Sequence, residues 1–238
     1  MVLLRKYLTT FLILGVNLAL GATNVSNSNL RETIHKLKID AARAPHELTK
    51  AHRLNPFRVT FFGASRIKQD HPASQSAYQL AQELAKAHIS VITGGGPGIM
   101  QAANCGAASV KTGKINSFGI VQPKVMVNKC IQEQLQFASF ATRKNFLMQL
   151  SNAYVFFPGG YGTLEELGEV LSLIQDHELA PGPVILFGKD FWQPLMNWLQ
   201  EQVFAEKLVA PEYQSLITVV DTPEVAQKII LNHQFEVN

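Results

Sequence analysis

From Arg58 onward the chain alternates between two hydrophobic regimes. Short unbroken apolar runs at residues 58–63 (RVTFFG), 89–93, 115–121, 153–157, 184–187 and 216–220 predict strands. They lack in–out alternation, as strands covered on both faces do. Between them lie stretches with an apolar residue every third or fourth position, at 72–88, 99–110, 142–150, 163–175, 191–204 and 223–232. In the first of these, Ala77, Leu80, Ala81, Leu84 and Ala85 share one helical face. Alternating strands and helices predict an α/β fold, a single Rossmann-like domain with a parallel sheet and helices on both faces. Ligands of such sheets bind at the carboxyl ends of the strands.

The pattern before this domain is different. Residues 23–29 are small and polar and read as a linker. Leu30, Ile34, Leu37, Ala41 and Leu48 have helical spacing among many charges, which predicts a surface helix ended by Pro56. At the very start, Arg5 and Lys6 precede an uncharged, mostly apolar run over 7–20, and Ala19 and Gly21 are small residues before Ala22. This is the pattern of a secretion signal and is short for a membrane span. An uncleaved anchor and a buried N-terminal helix are the other readings. The chain therefore divides into a signal-like segment at 1–21, a linker and surface helix at 22–54, and the α/β domain at 55–238. Export to a periplasm or the exterior is implied, with membrane contact confined to 1–21.

Composition narrows the classes. With 47% hydrophobic and 16% charged residues, the 238-residue chain can build a sizeable core. A net charge of +3, without basic runs interleaved with aromatics, gives no case for nucleic-acid binding. Between Glu83 and Glu133 there is no carboxylate, only Lys86, Lys111, Lys114, Lys124 and Lys129, so nothing acidic repels an anion there. Cys105 and Cys130 form no CxxC and no cluster with metal-ligand spacing, so neither a metal nor another cofactor is expected. The two could close one disulfide in an oxidising compartment, but the preferred reading is that Cys105 is a small buried residue on a helix.

Two glycine turns carry the candidate chemistry. Residues 94–100 (GGGPGIM) follow a strand and open a helix, where backbone N–H groups favour an anion. The dinucleotide fingerprint is excluded, because Ile99 stands where its third glycine would be. No GK[ST] follows, so it is not a P-loop either. Residues 158–166 (PGGYGTLEE) form the second turn. Thr163 and Glu166 have capping-box spacing, so a structural role for Glu166 competes with a chemical one. Ser65 ends the first strand and is either a phosphate contact or a turn former. His71, His88 and His177 are isolated and expected at the surface. Phe191, Trp192, Leu195 and Trp198 read as core or as a dimer contact.

PGGYGTLEE resembles the PGGxGTxxE signature of the LONELY GUY family, the cytokinin-activating nucleoside monophosphate phosphoribohydrolases. GGGPGIMQAAN at 94–104, the pair Arg143-Lys144 and FGASR at 62–66 are similar to other segments of that family, so the resemblance spans about 55–235. Older labels for such sequences as lysine decarboxylases find no pyridoxal phosphate lysine site here. The resemblance implies a Rossmann-like homodimer acting on AMP or an N6-substituted AMP by N-glycosidic hydrolysis, and the family precedent is cytoplasmic, against the export that residues 1–21 suggest. It makes Arg143 and Glu166 the catalytic pair. It places Lys144, Gly159, Gly160, Gly162, Thr163 and Glu165 around the ribose phosphate, with Gly95, Gly96 and Met100 from the first turn. Where family members often carry Leu-Pro-x-Glu after the third strand, this chain has Gln122-Pro123-Lys124-Val125, without the acid. That departure leaves base preference open and favours a rival, a non-catalytic carrier of a phosphorylated cofactor such as the molybdenum cofactor. Arg143 and Glu166 favour the enzyme. A further rival is an interaction protein anchored by its N-terminus. For Arg143 the plain alternative is a surface salt bridge on a helix, and for Lys144 a solvated lysine.

Overall fold

The computed structural model describes residues 28–237. The signal-like segment at 1–21 lies outside the described residues. The strands are β1 (Arg58–Phe62), β2 (Ser90–Thr93), β3 (Ser117–Val121), β4 (Glu133–Gln136), β5 (Ala153–Phe156), β6 (Val184–Phe187) and β7 (Ile217–Val220). They form one seven-stranded sheet in the order β4-β3-β2-β1-β5-β6-β7. Every pairing is parallel, with Val59 opposite Val91 on one side of β1 and Thr60 opposite Tyr154 on the other. The chain winds outward from β1 to β4 and then returns to β5 on the other side of β1. The winding reverses between β1 and β5, where open α/β sheets leave a ligand crevice at the strand ends.

Alternate strand residues feed two cores. Val59, Phe61 and Val91 face α2 (Pro72–Lys86), α3 (Ile99–Ala108) and α8 (Pro223–Val237), packing on Leu80, Ala103 and Ile230. Phe62, Ile92 and Ile120 face α4 (Phe140–Gln149), α5 (Tyr161–Gln175) and α6 (Lys189–Trp198), packing on Leu147, Val170 and Trp192. Each fully buried large side chain contributes about 1.5–3 kcal/mol by leaving water. The Trp192 indole N–H donates to the Phe156 carbonyl (3.1 Å), so this buried tryptophan leaves no polar atom unpaired. Its helical neighbours Phe191 and Trp198 are exposed.

The expected elements are present, with shifted ends. Helix α4 begins at Phe140 rather than 142 because the Ser139 hydroxyl accepts from Thr142 N–H. Helix α5 begins at Tyr161 rather than 163, with Gly160 as its N-cap. Beyond α6 the chain widens into a π-helical segment, Leu199–Phe204, and a short helix α7 (Pro211–Gln214) that the pattern did not predict. Strand β4 was also unforeseen: its sequence EQLQ buries only Leu135.

Helix α1 (Ser28–Ala51) starts inside the expected linker and continues through Pro45. It is more than a surface helix. Asp40 is only 3% exposed. Its carboxylate accepts from Ala138 N–H (2.6 Å) and Ser139 N–H (2.8 Å), at the N-terminus of α4. Glu47 accepts from Gln136 N–H (3.0 Å) and from Lys50. Burial opposes ionisation of Glu47, but these donors outweigh it and hold its pKa below the usual carboxylate value. Glu47 thus caps an amide at the edge of β4, while Asp40 ties α1 to the start of α4. The β3–β4 connection has no helix. Cys105, on α3, is disulfide-bonded there to Cys130 with Cα atoms 4.8 Å apart, which corrects the expectation of an unpaired buried cysteine.

Removing the Asp40 carboxylate leaves two amides unpaired and strips negative charge from a helix N-terminus. Asp40→Ala is expected to lower unfolding free energy by about 2–3 kcal/mol in urea titration. An unchanged midpoint would show that α1 is not anchored there.

Candidate active site

The turns after β1, β2 and β5 are sewn together. Ala64 N–H donates to the Pro158 carbonyl (3.0 Å) and Ile99 N–H to the Ala64 carbonyl (3.2 Å). Gln69 donates to the Gly98 carbonyl (2.9 Å). Gly98 has φ +68°, and a Cβ there would lie 2.3 Å from the Ala64 oxygen, so only glycine permits this approach. Both glycine turns therefore converge on the crevice where the sheet reverses its winding.

Arg143, in the first turn of α4, reaches across this crevice. Its Nε donates to the Ile120 carbonyl (2.7 Å) and its Nη2 to the Gly94 carbonyl (3.0 Å). The guanidinium also lies 5.7 Å from the Phe140 ring centroid. A Cβ on Gly94 would fall 2.0 Å from Nη2, so glycine at 94 is what admits the arginine. The surface salt-bridge reading is thereby overturned. Burial lowers the Arg143 pKa and nearby Glu166 raises it, but a guanidinium stays charged.

Glu166 sits half-buried in the second turn of α5. Since α5 starts at Tyr161, Thr163 is already helical and cannot serve as the N-cap, and the capping-box reading fails. Among the described residues, none donates a hydrogen bond to the Glu166 carboxylate, and none forms a direct ion pair with it. Burial pushes its pKa up to about 7, with Arg143 across the gap pulling down and Glu165 pushing up. A carboxyl so poised can change protonation state during a reaction near neutral pH.

The remaining expected residues divide. Gly160 and Gly162 have open space where a Cβ would be, so the α5 end of the second turn is accessible. Gly159 lies against the Thr163 side chain, which is buried beneath the turn. Met100 packs its thioether against Gly94 and Gly96. Gly95 has φ +78° and lies under Val121 and Ile131. Ser65 is exposed beside Gly98. Lys144 is 12% exposed and pairs with both Glu165 and Glu169 at 2.7 Å. Burial works against its charge, but the two carboxylates outweigh burial and raise its pKa. It is thus a bridge between α4 and α5 rather than a solvated lysine. Glu169 was missed, although it lies one helical turn beyond Glu165 and Glu166. His71 caps α2, accepting from Ala73 N–H at Nδ1, while His88 and His177 are exposed elsewhere. Exposed Met126 (90%), Phe140 (50%) and Tyr161 (93%) belong to segments that follow β3, precede Arg143 and open α5. A recess of about 230 Å³ between Leu171 and Tyr213, and one of about 380 Å³ around Pro183 and His233, involve none of these residues.

A buried polar network also went unforeseen. Asn128 donates through Nδ2 to the carbonyls of Gly95 (3.1 Å) and Gly96 (3.0 Å) and to Asn104 Oδ1 (2.9 Å). Its own N–H donates to the Gly95 carbonyl (2.9 Å). Thr93 joins the group, donating to Asn104 and accepting from Gly95 N–H.

The family model described as "possible lysine decarboxylase" matches residues 100–230. A "probable cytokinin riboside 5'-monophosphate phosphoribohydrolase" of Oryza sativa subsp. japonica is 29% identical over 188 residues, covering 76% of this chain and 73% of that protein. A cytokinin riboside 5'-monophosphate phosphoribohydrolase of Arabidopsis thaliana is 28% identical over 179 residues, covering 72% and 81%. Among solved structures, the molybdenum cofactor carrier protein of Chlamydomonas reinhardtii shares the fold. Its TM-score is 0.58 at 19% identity, over 75% of this chain and 98% of that one.

The raised pKa of Glu166 has a consequence for stability. The folded chain holds this proton up to about pH 7, whereas the unfolded chain releases it near the ordinary carboxyl value of 4.5. The protonated form's contribution is complete below the lower value and is lost as pH rises through the higher. Glu166→Gln is therefore expected to be more stable than the wild type at pH 8, by at most about 3 kcal/mol, and equal to it near pH 4. Thermal melts across that range check this; parallel curves would show an unperturbed carboxyl.

Proposed function

The chain belongs to the LONELY GUY family, and on that premise we propose that it hydrolyses the N-glycosidic bond of a purine nucleoside 5′-monophosphate, AMP or an N6-substituted AMP, to free base and ribose 5-phosphate. The observation that carries this reading is the pair Arg143 and Glu166, a half-buried cation and a desolvated acid, close enough for each to shift the other's pKa beside the glycine turns. Amide N–H groups at the starts of α3 and α5 suit the 5′-phosphate. The ribose then lies over Glu166. As the C1′–N9 bond breaks, its electron pair leaves with the base and positive charge grows on the sugar. The Glu166 carboxylate stabilises that charge and takes a proton from the water whose oxygen bonds to C1′, and that proton passes on to the nitrogen of the departing base, which restores the carboxylate. Arg143 is already fixed through Nε and Nη2, so it offers its positive charge to the departing base or the phosphate without reorganising. Lys144 and Glu165, locked together at the rim, face the ribose hydroxyls.

Assembly as a homodimer belongs to the same reading, because the exposed apolar side chains Met126, Phe140 and Tyr161 suit a protein surface better than water. Sedimentation at micromolar concentration is expected to give twice the mass of the chain.

Turnover is tested by incubating the protein with AMP and following adenine and ribose 5-phosphate by chromatography. Glu166→Gln and Arg143→Ala are expected to fold normally and lose about a hundredfold or more in rate. Adenosine, lacking the phosphate, is expected to react far more slowly. The wild-type kcat/KM should rise with pH through about 7 as Glu166 ionises, and Glu166→Gln should lack that limb. AMP persisting beside tight binding of a phosphorylated cofactor would replace the enzyme with a carrier, the reading that Gln122-Pro123-Lys124-Val125 favours.

A further inference from the structure

Beneath the first glycine turn runs the β3–β4 connection, residues 122–132, whose backbone is irregular and yet partly buried. Irregular buried backbone has to find specific partners. Here it finds them on the turn itself. Asn128 meets Gly95 and Gly96 through its side chain and Gly95 through its main chain, and it reaches Asn104 on α3. Two residues on, Cys130 N–H donates to Asn128 Oδ1 (3.1 Å), which fixes the amide orientation. The Cys130 carbonyl accepts from Ser117 Oγ (2.8 Å), which in turn accepts from Asn104 Nδ2 (3.0 Å). Cys130 is bonded covalently to Cys105, one residue beyond Asn104 on the helix that the turn opens.

The disulfide thus joins the two ends of the network that shapes the turn. Gly95 and Gly96 spend their carbonyls on Asn128, which leaves that side of the turn acceptor-satisfied. Gly95 N–H is held by Thr93. Any loosening of residues 128–130 frees these carbonyls to rotate toward a bound anion, which they would repel.

We infer that Asn128 is a positioning residue for the anion-binding turn and that the Cys105–Cys130 disulfide acts through it, so that the oxidised chain binds a nucleoside monophosphate more tightly than the reduced one. This rests on the function proposed above in taking the turn as part of the phosphate seat. Reduction by a dithiol is balanced: Cys105 and Cys130 gain two electrons and two protons, and the reagent closes to its cyclic disulfide. With only two cysteines in the chain, no third thiol of the same chain can exchange with the pair.

The test uses the full chain, purified without reductant and then with dithiothreitol, as wild type and as Asn128→Ala. AMP binding is read by calorimetry and backbone ordering by hydrogen–deuterium exchange. Reduction of the wild type is expected to weaken AMP binding about tenfold, as is Asn128→Ala in the oxidised state. Reduction of Asn128→Ala is expected to cost nothing further, because coupled groups do not contribute additively. Exchange of the Gly95 and Asn128 amides, both hydrogen-bonded within the network, should rise on reduction while that of β1 and β5 stays slow. Losses that simply multiply would overturn the proposal, since the disulfide would then act elsewhere. So would a reduced chain whose β1 and β5 amides also exchange freely, which assigns the bond to global stability alone. If the oxidised wild type binds no AMP, the proposed function and the affinity difference fail together, and exchange decides only the positioning role of Asn128: faster exchange at the turn on reduction supports that role, unchanged exchange overturns it.

Discussion

A guanidinium cannot shed its charge, so a buried one dictates the structure around it. Arg143 meets that demand with two carbonyls, Ile120 near the end of β3 and Gly94 just past the end of β2. Residue 94 has to be glycine for the side chain to pass. Helix α4 has to start where it does for residue 143 to point into the crevice, and the start of α4 is set by Ser139 as its cap and by Asp40 binding the amides of Ala138 and Ser139. The anchoring thus runs outward from the crevice to a helix that lies before the first strand in sequence. What looks like an accessory N-terminal helix is part of the support for the arginine.

The acid opposite is held in the reverse manner. Lys144 takes up Glu165 and Glu169, which lie on the same helix as Glu166. Glu166 is left with Arg143 at a distance, burial around it and a like charge beside it. A carboxyl in that position destabilises the fold when ionised. Folded proteins tolerate such a group where the same desolvation serves chemistry. The crevice is therefore asymmetric: the cation is tied to backbone and immobile, while the acid is free to exchange protons.

The sequence displayed the strands that lie inside the sheet because burial on both faces demands unbroken apolar runs. It also displayed both turns, since glycine is required wherever backbone approaches backbone, as at Gly98. Arg143 and Glu166 were legible only through resemblance, because nothing local distinguishes them from a helix-surface ion pair and a cap. Strand β4 was hidden because EQLQ draws its hydrogen bonds from Phe118 to Val121 and from Glu47, not from its own side chains. The value of Asp40 depends on amides at 138 and 139, far along the chain, and no periodicity reports that. Cys105 and Cys130 announced a disulfide as one option only, since a separation in sequence carries no separation in space.

The disulfide also bears on a conflict in the sequence. Residues 1–21 have the pattern of an export signal, while nucleoside monophosphates are mostly intracellular. Disulfides form and persist in oxidising compartments and are rare in reducing ones. If the bond orders the phosphate turn, as inferred, the chain is synthesised with its crevice loosened and gains affinity only after the two thiols are oxidised. The order of the first glycine turn then follows the redox state of its surroundings, because the bond that holds Cys130 to α3 also holds Asn128 against Gly95 and Gly96.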